Sequence, residues 1–88
     1  MKEVPGWVLT EDSRGIYQDY VTKNFMAAVE FINKIAAIAE SEDHHPDLHL
    51  TGYRRLRIDL LTHAINGLSE NDFIVAAKIN KLNVALKD

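Results

Sequence analysis

The longest apolar pattern in the chain has the repeat of an α-helix. Over residues 25–40, apolar side chains recur three and four positions apart, and most polar side chains fall outside the stripe that they form. This spacing predicts an amphipathic helix of roughly four turns. We expect Thr22 or Asn24 to cap its start, and Pro46 to stop it, because the residue before a proline is disfavoured in the helical conformation. The predicted inward face comprises Phe25, Ala28, Val29, Ile32, Ile35, Ala36 and Ala39, widened by Phe31 and Ile38.

A second helical stripe lies in the C-terminal part of the chain. Asn66-Gly67-Leu68 is typical of a turn, and Ser69 followed three positions later by Asp72 matches a capping box, in which the serine opens the helix and the acid bonds back to its backbone. Asp72 is therefore predicted to project from the first turn, on the inward side of this helix. The apolar positions of the stripe are Val75, Ala76, Ile79, Leu82 and Leu86.

Four shorter segments favour β-strands. Residues 7–10 and 16–22 suit a pleated surface and flank a polar, glycine-containing turn, which predicts a hairpin. Further along, residues 48–51 and 55–60 alternate apolar with polar side chains, as half-buried antiparallel strands do. By this alternation, His63 shares the face of the polar positions in the last strand, if the strand continues that far.

The order strand, strand, helix, strand, strand, helix contains no signal of a βαβ crossover. It predicts an α+β fold in which a four-stranded antiparallel sheet carries both helices on one face. With 88 residues, the chain has the length of one small domain, which we expect to span residues 1–88.

Composition and charge narrow the classes of function. A net charge of −3 argues against binding to nucleic acid or to anionic membranes, because such binding depends on a positive excess. The absence of cysteine excludes disulfides and thiolate metal sites. The most apolar stretch, residues 25–39, is interrupted by polar side chains, and residues 1–5 carry no signal-peptide pattern. We therefore expect a cytoplasmic protein without a membrane span.

Candidate chemistry concentrates just after the first predicted helix. Three of the four histidines lie between residues 43 and 50, and His44 and His45 directly precede Pro46. Imidazole titrates near neutral pH, which suits general acid/base catalysis. Cationic histidines at the end of a helix also complement its dipole and bond its last carbonyls. The histidine pair alone therefore leaves both interpretations open.

Three later residues have ordinary structural explanations when each is taken alone. His63 fits the end of a strand, Asp72 fits a helix cap, and Tyr53 fits a turn beside Gly52. We expect no metal site, because no His-Glu-x-x-His helix is present and neighbouring histidines on an extended chain point in opposite directions.

The basic cluster at residues 54–57 is a candidate for phosphate or nucleic acid. Its arginines alternate on a predicted strand beside Asp59, which is more typical of a solvated face or a subunit contact. We therefore expect no direct contact with nucleic acid.

Taken together, these positions form one spaced motif. It reads Glu40, three residues, His44-His45-Pro46, six residues, Tyr53, nine residues, His63, eight residues and Asp72. This motif closely resembles the signature of the pterin-4a-carbinolamine dehydratases. Other segments are similar to the same family, so that the resemblance covers nearly the whole chain: Pro5-Gly6-Trp7, Lys23-Asn24-Phe25, Thr62-His63, Gly67-Leu68-Ser69 and Asp72-Phe73.

The resemblance implies a hydro-lyase with the fold expected above. Members of this family dehydrate 4a-hydroxytetrahydropterin to the quinonoid dihydropterin, as part of tetrahydrobiopterin recycling, without a metal or redox cofactor. They form homodimers or homotetramers, and some animal members also act as dimerisation cofactors for a homeodomain transcription factor. By the same resemblance, we assign His44 and His63 to proton transfer, His45 mainly to binding and orienting the pterin, and Asp72 to holding a histidine in its useful tautomer. The remaining residues implied to bind the substrate are Glu40, Pro46 and Tyr53.

The chain departs from the family pattern at a few positions outside the spaced motif. Gln18, Tyr20 and Thr22 stand where a basic residue and two phenylalanines are frequent, and these changes bear on substrate affinity and on the subunit interface. Two alternatives to the main hypothesis stay open. One is a non-catalytic oligomeric module that binds a pterin or serves as a transcription cofactor, and the other is dehydration of a different pterin, in molybdopterin metabolism.

Overall fold

The computed structural model describes residues 4–88 as a four-stranded antiparallel sheet with two helices. The expectation about a signal peptide concerns in part residues 1–3, which lie outside the described residues. The elements in chain order are β1 (Val8–Leu9), β2 (Ile16–Val21), α1 (Phe25–Glu42), β3 (Asp47–Thr51), β4 (Arg55–Leu60), a 3₁₀ turn (His63–Ile65) and α2 (Glu70–Asn80).

The spatial order of the strands is β1-β2-β4-β3, and every neighbouring pair is antiparallel. The predicted hairpin of β1 and β2 is present, β3 and β4 form a second hairpin, and the α+β architecture is confirmed. The two hairpins join through β2 and β4, with Ile16 opposite Leu60. On the other side of β4, Asp47 lies opposite Asp59. The start of β3 and the end of β4 therefore lie at the same end of the sheet.

One face of the sheet forms the core with both helices. Apolar side chains of β4 point to this face, while Arg57 lies on the other, where its guanidinium stacks 3.9 Å from the Tyr17 ring and bonds both oxygens of Asp59. Each large buried side chain stabilises the fold by about 1.5–3 kcal/mol. The largest apolar side chains with less than 2% exposure are Phe31, Ile16, Ile35, Leu56, Ile58, Leu60, Ile79 and Val75.

The cap of α1 follows the sequence prediction, whereas its buried face differs from it. Asn24 is the N-cap, and its side-chain oxygen accepts a hydrogen bond from the Ala27 amide at 2.8 Å. Phe25 and Ala36 were expected in the core but are exposed. The reason is angular, because they lie about 80° and 100° around the helix from Ile35, to one side of the contact with the sheet. The buried residues of α1 are Ala28, Phe31, Ile35 and Ala39.

The two helix ends also differ from the predictions. α1 stops at Glu42, ahead of Pro46, because Asp43 adopts the left-handed conformation (φ 51°) and its amide turns back to bond Glu40. α2 stops at Asn80, so neither Leu82 nor Leu86 is part of its stripe. Leu86 instead forms an isolated bridge with Thr22 at the end of β2, where the C-terminal backbone finds hydrogen-bond partners. Neither helix within residues 4–88 has the length and apolarity to cross a bilayer.

Candidate active site

Two connections of the polypeptide meet at the end of the sheet where β3 begins and β4 ends. The α1–β3 connection carries His44 and His45, and the β4–α2 connection carries His63 and leads to Asp72. An ion pair between Lys78 and Glu42 also ties α2 to the last turn of α1. The fold therefore brings together the two stretches that hold most of the motif.

The closest contact between these connections joins His44 and Asp72. The distance from Nε2 of His44 to Oδ1 of Asp72 is 2.6 Å. The left-handed Asp43 sets the direction of the chain here, and the His44 amide donates to the Ala39 carbonyl at 3.1 Å. The His44 side chain is only 13% exposed and that of Asp72 is fully buried, so this contact is shielded from water.

Asp72 receives two further hydrogen bonds at its other oxygen. Oδ2 accepts from the hydroxyl of Thr62 at 2.8 Å and from the backbone amide of Ser69 at 2.9 Å. Asp72 therefore caps α2 and contacts a histidine at the same time.

With Asp72 as a carboxylate, this contact is compatible with one neutral tautomer of His44. An ionised carboxylate can only accept hydrogen bonds, so Nε2 of His44 carries a proton and is the donor of the hydrogen bond to Oδ1 of Asp72. The remaining nitrogen, Nδ1, then holds the lone pair in the neutral ring and is available for proton transfer. When Nδ1 gains a proton, the adjacent carboxylate stabilises the resulting imidazolium.

His45 points away from this pair and contacts the last turn of α1. Its Nε2 lies 2.5 Å from Oε2 of Glu40, and both side chains are well exposed, at 56% and 77%. The adjacent histidines thus diverge, as neighbours on an extended segment do. An open pocket of about 310 Å³ lies beside this pair, lined by Ile35, Ala36, Ala39, Glu40, His45, Pro46 and Leu48.

His63 lies in the 3₁₀ turn instead of on a strand. β4 ends at Leu60, so the condition under which His63 would share the face of Arg57 and Asp59, a strand that continues to His63, is not met. The strand stops because Thr62 and Gly67 exchange two backbone hydrogen bonds, of 2.8 and 3.3 Å, which close a loop around residues 63–66. His63 is exposed there, and it directly follows Thr62, whose hydroxyl contacts Asp72.

The structure does not bring Tyr53 to this site within one chain. Tyr53 is 58% exposed in the turn between β3 and β4, with φ of 55°, and Arg54 lies 5.4 Å from its ring. β3 alone spans about 13 Å and separates this turn from Pro46. The role of Tyr53 in substrate binding stays a prediction.

Comparison with known proteins places the chain in a family. The sequence model described as "Pterin 4 alpha carbinolamine dehydratase" matches residues 1–82. A Legionella pneumophila protein named putative pterin-4-alpha-carbinolamine dehydratase is 53% identical over 78 residues, which are 89% of this chain and 68% of that protein. The chain belongs to the pterin-4-alpha-carbinolamine dehydratase family.

Other members and relatives of the family cover most of this chain. Pterin-4-alpha-carbinolamine dehydratase 2, mitochondrial, of Arabidopsis thaliana is 48% identical over 96% of this chain, but the chain spans only 46% of that protein. A crystal structure of a transcriptional coactivator/pterin dehydratase from Brucella melitensis is 34% identical, with a TM-score of 0.81, over 88% of this chain and 81% of that chain. A pterin dehydratase-like protein described as a RuBisCO assembly factor is 17% identical, with a TM-score of 0.69 over 85% of this chain and 86% of that chain, and shows the fold alone.

Within this dehydratase fold, two residues at the site were not predicted from the sequence. Thr62 and Ser69 both contact Asp72, and their hydroxyl oxygens lie 2.6 Å apart. Ser69 was identified only as a helix cap, and Thr62 only as part of a segment similar to the family. The available signal was the position of Thr62 immediately before a candidate histidine. Within residues 4–88, no group of three or more His, Cys, Asp and Glu side chains is arranged to hold a metal ion.

Proposed function

We propose that this protein removes water from a 4a-hydroxytetrahydropterin and releases the quinonoid dihydropterin, in tetrahydrobiopterin recycling. The observation that carries the proposal is the shielded 2.6 Å contact between His44 and Asp72, beside the loop that holds His63. A surface histidine that served only to complement a helix dipole would not need a fully buried carboxylate as its partner.

The reaction needs two proton transfers and no electron transfer. The bond from C4a to the hydroxyl oxygen breaks as that oxygen gains a proton, and the neighbouring ring nitrogen loses one, so that one water leaves. We assign Nδ1 of His44 as the base that takes the nitrogen proton, because Asp72 stabilises the imidazolium that forms. His63 then acts as the acid that protonates the departing hydroxyl.

His45, Glu40 and Pro46 are proposed to bind and orient the pterin. All three line the open pocket at the end of α1, and a carboxylate paired with a histidine offers hydrogen-bond partners to the polar edges of a pterin ring. Exposed ion pairs contribute little to stability, so retaining the fold does not require this one.

The test is a stopped-flow absorbance assay of 4a-hydroxytetrahydropterin loss, compared with the spontaneous reaction. We expect acceleration by the wild type, and a decrease in turnover of roughly 10²–10⁴ in His44→Ala and in His63→Ala. The matched control is His49→Ala, because His49 lies on the exposed face of β3, 4.0 Å from Asp59. Wild-type turnover in both site variants would refute the assignment.

Absence of acceleration by the folded wild type would favour the non-catalytic module instead, and binding of a stable tetrahydropterin measured by calorimetry would then become the first experiment. The proposal also includes a cytoplasmic location and a homodimer or homotetramer. Light scattering coupled to size-exclusion chromatography measures the oligomeric state directly.

A further inference from the structure

Two hydrogen-bonded hydroxyl groups, those of Ser69 and Thr62, lead to the oxygen of Asp72 that does not contact His44. The Thr62 hydroxyl is 2.8 Å from Oδ2 of Asp72, and the Ser69 hydroxyl is 2.6 Å from that of Thr62. Thr62 and Ser69 flank the loop that holds His63, and both side chains are partly buried.

The direction of each hydrogen bond follows from the number of protons that each group can donate: none for an ionised carboxylate and one for each hydroxyl. Ionised Asp72 donates none, so Thr62 gives its only hydroxyl proton to Oδ2. Thr62 can then only accept from Ser69, whose hydroxyl proton therefore points to Thr62. Each hydrogen bond is therefore donated in the same direction, from Ser69 to Thr62 and from Thr62 to Asp72.

This direction has a geometric consequence for the histidine. The torsion that turns a carboxylate about its last bond is soft, so Asp72 needs external contacts to hold its plane. Two donors, Thr62 and the Ser69 amide, fix Oδ2, and Oδ1 is thereby aimed at Nε2 of His44.

We propose that Thr62 and Ser69 are positioning residues, which orient the Asp72 carboxylate so that it holds His44 as the Nε2–H tautomer with Nδ1 free. This inference rests on the proposed function for its effect on turnover. Its effect on the His44 ring is independent of any reaction.

The kinetic test compares variants of Thr62. Thr62→Val keeps the shape and removes the hydroxyl, and we expect kcat to fall about tenfold with little change in KM. Thr62→Ser restores the hydroxyl and is expected to recover most of the wild-type kcat. Ser69→Ala removes the second hydroxyl, which also caps the backbone of α2, and its expected loss is smaller, about two- to threefold.

Thr10→Val is the matched control for losing a hydroxyl that bonds a carboxylate. The Thr10 hydroxyl donates to Oδ1 of Asp12 at 2.7 Å and accepts from the Gly15 amide at 3.1 Å, in the turn between β1 and β2. This variant is expected to keep the wild-type kcat. An active, folded Thr62→Val protein with wild-type kcat would overturn the proposal.

A measurement without substrate separates this inference from the proposed function. Proton NMR of the His44 ring reports how quickly the Nε2 proton exchanges with water. We expect faster exchange in Thr62→Val and Ser69→Ala than in the wild type and in Thr10→Val. If the wild type proves inactive, the proposed function fails, and this exchange rate still decides the positioning role: unchanged exchange in both hydroxyl variants overturns it. Ser69→Ala alone carries the test if Thr62→Val does not fold.

Discussion

Replacing Asp72 by asparagine keeps the size of the side chain and changes which atoms can accept. The side-chain amide of the introduced asparagine has two ways to face. If its oxygen faces the Ser69 amide and Thr62, both hydrogen bonds survive, and the NH₂ group then donates to His44. In the opposite orientation the NH₂ group meets the Ser69 amide, donor against donor. The first orientation is therefore favoured, and it forces Nε2 of His44 to accept.

The consequence is a reversed tautomer, in which Nδ1 carries the proton and can no longer act as the base. We expect Asp72→Asn to lower kcat by roughly 10²–10⁴, as loss of the correct tautomer does in other acid/base sites. Stability falls as well, because three hydrogen bonds to a carboxylate become bonds to a neutral amide. At about 1 kcal/mol or less for each bond, offset in part by removal of a buried charge, the free energy of unfolding drops by about 1–3 kcal/mol.

Two assays on the same protein check this expectation. Stopped-flow kinetics gives kcat and KM, and a thermal scan is expected to show a melting temperature lower by about 5–20 °C. The matched control is Asp12→Asn, because Asp12 also accepts from a threonine hydroxyl, that of Thr10, and from a backbone amide, that of Arg14, but contacts no histidine. We expect the control to keep wild-type turnover.

The reasoning would be refuted by Asp72→Asn protein that melts at a lower temperature yet turns over within about threefold of the wild type. That result would leave Asp72 with the role of a helix cap only. A ring ¹⁵N spectrum of His44 in the same variant gives a second check, since the reversed tautomer exchanges the signals of the two nitrogens.

Three further predictions concern other parts of the fold. His45→Ala and Glu40→Gln are expected to raise KM about three- to tenfold with a smaller effect on kcat, as measured by initial rates, because this pair lines the open pocket and does not contact Asp72; a loss confined to kcat would contradict it. Asp43→Gly is expected to raise the free energy of unfolding by up to about 1 kcal/mol in urea titration, since glycine adopts the left-handed conformation without strain. Burial raises the pKa of Tyr20 to about 12, so the folded state favours its neutral phenol. The contribution of this raised pKa to the free energy of unfolding is complete below the ordinary tyrosine pKa near 10 and is lost as pH rises towards 12. An alkaline absorbance titration of the wild type against Tyr20→Phe measures the pKa of Tyr20. A titration midpoint near 10 would contradict the prediction.

The parts of the fold that periodicity determines were predictable from the sequence. The alternation of Leu56, Ile58 and Leu60 with charged residues identified β4 and its buried face. Helix ends were less predictable, because they depend on single backbone conformations. The hydrophobic pattern does not predict that Asp43 adopts the left-handed conformation ahead of Pro46, or that the backbone near Leu86 pairs with the end of β2.

The site was predictable in its residue types and less so in its arrangement. The motif spacing placed His44 and Asp72 in one hypothesis, and the 2.6 Å contact now gives that hypothesis a geometry. The divergence of His44 and His45 was predictable, because neighbouring side chains on an extended segment point in opposite directions. The position of Thr62 depends on where β4 stops, which is a tertiary property set by its backbone exchange with Gly67.

The contact between His44 and Asp72 joins residues 28 positions apart, one of them in the first turn of α2. Docking of α2 is therefore also the step that assembles this pair, and each transient detachment of the helix disassembles it. A ligand that requires the assembled pair must, by mass action, favour the docked state. A bound pterin is thus expected to slow amide hydrogen exchange along the whole of α2.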